Sequence, residues 1–191
     1  MRPTPSILAA ALALLAAPAL TSAPADAQAL PSQADARAQL FDGNRTQVAI
    51  TRHPFLTEAD IATLQALPEA AQFDYYGALA VDPGQGLQGS RARGAFNFHS
   101  PEAARAAALA GCGAGCVVVA EIRPRDFAEG RPLTLNQGAT RAVAGRALAR
   151  AGGTLAISPG TGAWGMGDGE AAAVAACAAA GGSDCRAVVG R

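Results

Sequence analysis

Gly153-Thr154-Leu155-Ala156-Ile157-Ser158-Pro159-Gly160 reads as a strand running into a turn. An earlier stretch, Gly77-Ala78-Leu79-Ala80-Val81-Asp82-Pro83-Gly84, reads the same way. Gly, Leu, Ala, Pro and the last Gly coincide, and the remaining exchanges are mostly conservative. Working outward, each stretch is followed by a Gly-rich turn and a second strand, Gly94 to Phe98 in one case and Gly162 to Met166 in the other. Then comes an Ala-rich helix opening with an acid, at Glu102 and at Glu170. Each helix leads to a cysteine and an apolar strand, from Cys116 and from Cys185. The order β-β-α-β thus occurs twice, and four matches in one order point to a duplication. The fold class expected is α+β: two related β-β-α-β halves, residues 75–122 and 153–190, in one small disulfide-stabilised domain over 73–191.

Local signals refine this outline. Ser100 is an N-cap with Pro101 at the first helical position, where a missing N–H costs nothing. Val117 to Ile122 is nearly all apolar, as in a strand covered on both faces. Between the halves, Asn136 caps a linking helix over about 137–151, ended by Gly152-Gly153. Residues 28–72 form a helical N-terminal segment: a short helix from Ala34 to Phe41, a short strand from Gln47 to Thr51, and a helix opening at Thr57. Thr57 and Asp60 make a capping-box variant. That helix carries Ile61, Leu64 and Leu67 on one face and stops at Pro68.

Residues 1–27 read as a cleavable signal peptide. Arg2 precedes an apolar run from Ile7 to Leu20, and Ala25-Asp26-Ala27 fits the small-x-small pattern before a cut that would leave Gln28 first. The run is too short for a membrane span, and no later run is longer. The expectation is a periplasmic or secreted protein without a transmembrane span in its mature chain.

In that compartment the four cysteines are expected to be oxidised. Their parallel placement within each half favours Cys112–Cys116 and Cys177–Cys185. The tight first loop needs Gly113 and Gly115 to break the helix between its cysteines. The alternatives are a four-cysteine zinc site, whose usual spacings are absent, or redox handling, for which no C-x-x-C exists.

Composition excludes further chemistries. All 15 basic residues are arginine. Without lysine there is no Schiff base for pyridoxal phosphate and no P-loop NTPase. A formal net charge of zero gives no long-range attraction to nucleic acid. Gly84-Gln85-Gly86-Leu87-Gln88-Gly89 matches a dinucleotide fingerprint literally, but a strand follows it where a helix is required, so a hairpin turn is expected. Asp168 and Glu170 lack the ligand count of a calcium loop. His53 and His99 are the only histidines. Either could serve an envelope hydrolase or enzyme inhibitor, yet no G-x-S-x-G elbow accompanies them. No catalytic, cofactor or metal residue is assigned. Trp164, the only tryptophan, is expected in the core.

The second half resembles a family of secreted bacterial domains of unknown function. Their repeat unit is like A-I-A-x-S-x-x-T-G-A-W-G, then an Ala-rich helix, then C-x7-C leading into a strand. The matching residues are Leu155-Ala156-Ile157-Ser158, Thr161-Gly162-Ala163-Trp164-Gly165, and Cys177 with Cys185. The first half is a weaker copy, without the tryptophan and with C-x3-C. Look-alike exported proteins are sometimes called 5-aminolevulinate synthase, an activity that a lysine-free chain contradicts. The resemblance implies the fold unit and no activity. The function expected is a non-catalytic binding or structural module of the cell envelope, with an unidentified protein or envelope partner.

Overall fold

The computed structural model describes residues 29–71 and 73–190, with the side chains of 68–71 left aside; the expected signal peptide lies outside them. The chain folds as α+β, with two antiparallel sheets. The first sheet has the order β1-β4-β2-β3: β1 Thr46–Ile50, β4 Val117–Pro124, β2 Gly77–Val81 and β3 Arg93–Ala95. The second has the order β6-β5-β7: β6 Trp164–Gly167, β5 Thr154–Ile157 and β7 Arg186–Val189. In each half the first strand is central, with the second on one side and the third on the other. Both ladders also carry a register shift at matching residues, between Leu79 and Ala80 and between Leu155 and Ala156.

A helix lies against each sheet where the sequence is alanine-rich. On the first sheet, Ala104, Ala108 and Cys112 of α3 (Pro101–Cys112) pack on Ala78 and Ala80. Leu64 of α2 (Glu58–Ala71) packs with Val81 and Val119. On the second sheet, Ala173 and Cys177 of α6 (Glu170–Ala179) meet Ala156. There the approach is closest, because a Cβ at Gly165 would collide with the backbone of Ala176 and Cys177, and one at Gly167 with that of Ala173. Leu155, Ile157 and Val189 pack instead with Ala36 of α1 (Gln33–Gln39), Ala139 and Val143 of α4 (Gln137–Ala144) and Leu148 of α5 (Ala147–Arg150).

Three details depart from the sequence reading. The helix opening at Thr57 does not stop at Pro68 but runs to Ala71. A proline forfeits one backbone bond, and that alone does not end a helix. The linking helix is two helices, α4 and α5. Gln33 Nε2 donates to the carbonyls of Val143 and Gly145 at 2.8 and 3.0 Å, so the end of α4 is capped from α1. The strand expected in the N-terminal segment forms as β1, and it pairs along β4 from Thr46↔Pro124 to Ile50↔Ala120, inside the first sheet. Finally, the second strands begin elsewhere than expected. Val81 and Ile157 are equivalent, and Ile157 pairs with Trp164. In the other half, Ala80 pairs with Arg93, which places Ala92 opposite Val81. The counterpart of Trp164 is therefore Ala92, which carries no ring.

Candidate functional site

Both disulfides form as expected, Cys112–Cys116 and Cys177–Cys185, with Cα atoms 6.0 and 6.1 Å apart. Gly113 and Gly115 take φ of 94° and 82°, the left-handed geometry that turns the chain back within the tight loop. No thiolate is left to hold a metal or exchange with a substrate. Among the described residues, no three His, Cys, Asp or Glu side chains group as a metal site. No helix among them is long and apolar enough to cross a membrane.

Each disulfide loop is tied to the turn after its central strand. In the first half, Arg91 pairs with Asp82 at 2.7 Å and donates to the carbonyls of Cys112 and Ala114 at 3.0 and 2.8 Å. In the second half, the buried hydroxyl of Ser158, the counterpart of Asp82, donates to Asp184 and accepts from Thr161 Oγ1 at 2.8 Å. That hydroxyl bond holds the Asp184 carboxyl below the usual carboxylate range.

His99 and Asn136 sit where the halves meet. His99 is 3 % exposed and Asn136 fully buried. The Asn136 backbone N–H donates to His99 Nδ1 at 3.1 Å. Nδ1 is therefore the acceptor, and the ring proton is on Nε2, 3.1 Å from the carbonyl of Ala163. The imidazole is neutral and spans from the first half to the second hairpin. Burial pushes its pKa below the ordinary histidine value. The Asn136 side chain caps α4 by accepting from Ala139 N at 2.9 Å. Its amide donates to the carbonyls of Asn97 and Gly162 at 3.1 and 2.9 Å. A Cβ at Gly162 would run into the Asn97 carbonyl, so glycine is required at this approach, with φ of 77°.

Both histidines are thus built into the frame. His99 has neither nitrogen open to a substrate. His53 donates through Nε2 to the Val118 carbonyl at 3.1 Å and stacks on Phe55 with ring centroids 5.3 Å apart. The Gly84–Gly89 stretch lies in the turn joining β2 to β3, as a hairpin and not a strand-to-helix crossing. Asp168 and Glu170 stand at the turn into α6.

Beside the His99–Asn136 junction is a cleft of about 470 Å³. It is lined by Asn97, Thr161, Gly162 and Trp164, and by Ala180 and Gly181 just beyond α6. Trp164 is half-buried: it packs at the margin of the core formed by Leu155 and Val143, and its indole edge would lie 3.4 Å from a Cβ at Gly138. It is a core anchor on one side and a cleft wall on the other. Asn97 is exposed and takes φ of 65°, a conformation that asparagine tolerates better than most residues. Sequence reading found Trp164 and Asn136 but missed Asn97, Ser158 and Asp184 as members of this region. The Ser-Pro-Gly-Thr-Gly turn held the signal for Ser158, since a serine before such a turn commonly bonds within it.

No family model matches this chain, and no curated protein or solved structure matches it either.

Proposed function

We propose that this protein is an exported, disulfide-stabilised binding module of the cell envelope, and that its contact surface is the cleft beside Trp164. The observation that carries the reading is the division of labour around the second hairpin. His99, Asn136, Ser158 and Asp184 are consumed by internal bonds that hold the hairpin still, while Trp164 and Asn97 border an open cleft. A rigid frame presenting a loop is the usual arrangement of a binding surface. The signal-like order of residues 1–27 supports export, and the two disulfides are compatible with an oxidising compartment. Membership of the secreted family resembled by Thr161-Gly162-Ala163-Trp164-Gly165 is part of the proposal. The matching strand order and register shift of the two halves support a duplication as their origin.

The histidine-based hydrolase draws less support, because both nitrogens of His99 and Nε2 of His53 are engaged in internal bonds.

A photoreactive amino acid placed at Thr161 in the full chain, expressed in the source cell, tests the surface. A discrete crosslinked species is expected from that position and not from exposed Thr63 on α2. No adduct, or equal adducts from both positions, would overturn the reading.

A further inference from the structure

We infer that the Trp164 cleft takes an uncharged sugar unit of an envelope glycan; this rests on the binding-module reading and names its ligand class. None of the residues lining the cleft is ionisable. An ionic ligand would lose its hydration there and find no opposite charge in return. The cleft also receives the C-terminal end of α6, where Ala180 and Gly181 follow the last helical residue. The carbonyls of Ala176, Cys177 and Ala178 already accept from the N–H groups of Ala180, Gly181 and Gly182, and the dipole of α6 leaves partial negative charge at this end, which disfavours anions.

Two of the lining residues carry polar side-chain groups. Neither the Asn97 amide nor the Trp164 indole N–H makes a hydrogen bond among the described residues, although the Asn97 backbone is pinned by Asn136. The indole adds an apolar surface that carries a polar tip. A pyranose ring offers both counterparts at once: a C–H face for the indole, and hydroxyls that exchange bonds with an amide. The cleft volume, about 470 Å³, lies within the range of small-ligand sites. An extended peptide backbone would match the site less well, because it offers no ring face to the indole.

Trp164 is the only tryptophan, so its emission reports on the cleft directly. The oxidised protein is titrated with maltotriose, cellotriose and triacetylchitotriose. Trigalacturonate serves as the charged counterpart and a blocked trialanine as the uncharged peptide. A saturable emission shift is expected from at least one neutral trisaccharide, with no shift from trigalacturonate or the peptide. Asn97→Gly removes the amide at a backbone angle that glycine accepts, so the fold is kept; it should weaken the sugar by about tenfold. Silence from all three neutral sugars up to about 20 mM, or an equal response to the uronate or the peptide, overturns the ligand class. If Thr161 still crosslinks an envelope component, the binding surface stands and only the sugar is lost. If neither experiment responds, the binding-module reading fails with it.

Discussion

His99 shows how one buried side chain can carry both architecture and a pH response. Its two bonds require the neutral ring, with the proton on Nε2. Because burial lowers its folded-state pKa, the unfolded chain takes up the proton first as pH falls. The contribution of His99 to stability is therefore complete above about pH 6.5 and declines below it, toward its folded value. Thermal melts between pH 7.5 and pH 5 should show a falling Tm in the wild-type chain, as an expected slope of about the size one titrating group gives. His99→Gln should lower stability at neutral pH and flatten that slope; an unchanged slope would remove His99 as its source. Asp60 and Asp184 act in a lower window. Hydrogen bonds from Thr57 and from Ser158 lower their pKa values, so their contributions are lost only as pH drops through the carboxylate range. Asn136 makes a separate prediction. Asn136→Ala deletes the cap on α4 and strands the buried carbonyl of Gly162, for an expected loss of ~2–4 kcal/mol by urea unfolding. A loss under about 0.5 kcal/mol would show that the two halves do not depend on this junction.

At the level of elements, the two halves differ in how closely helix and strand approach. In the second half the strand gives way: Gly165 and Gly167 present bare backbone to the alanines of α6. In the first half the strand carries Arg93 at the position equivalent to Gly165, and the helix places Gly111 beside it, where a Cβ would sit in ordinary contact, 3.5 Å from the Arg93 Cγ. Opposite outcomes follow. Gly165→Ala should cost ~1–3 kcal/mol, because neither backbone can move aside. Gly111→Ala meets only ordinary contact with a flexible side chain and gains helix propensity, so it should be neutral or stabilising by up to about 1 kcal/mol. Chemical denaturation of both variants checks the pair, and equal losses would contradict this account. Much of this level is legible in the sequence. Ser100, Thr57 and Asn136 mark helix starts through the bonds they make locally, to Ala103, Asp60 and Ala139. The parallel placement of the cysteines favours the local disulfide pairing, and Gly113 and Gly115 permit the tighter loop. What depends on distant partners is not legible. The split between α4 and α5 is set by Gln33, more than a hundred residues earlier in the chain. The pairing of β1 with β4 and the offset between Trp164 and Ala92 are matters of cross-strand register, and the unequal turns after β2 and β5 hide that register from alignment. The cleft was half visible: Trp164 stands out by its rarity, whereas Asn97 acquires its place only when its carbonyl meets Asn136.

Across the whole molecule the cross-links are local, spanning 4 and 8 residues, and neither joins one half to the other. On the chain-entropy view they contribute about 2.1 and about 2.6 kcal/mol. Replacing Cys177 and Cys185 by alanine should therefore lower stability slightly more than replacing Cys112 and Cys116, as read from urea midpoints. A non-reducing peptide map should return the two local pairs and no cross-half pair, and the proposed export predicts an intact mass that begins at Gln28. The first and last described segments also lie together. Gly190 N–H donates to the Pro31 carbonyl at 3.0 Å, and Ser32 bridges Gly190 in parallel. A short linker from Gly190 to Ala29, with new ends opened at the exposed turn around Gly130, would therefore give a circular permutant. The order in which a ribosome delivers these strands would then be only one of several routes to the same arrangement.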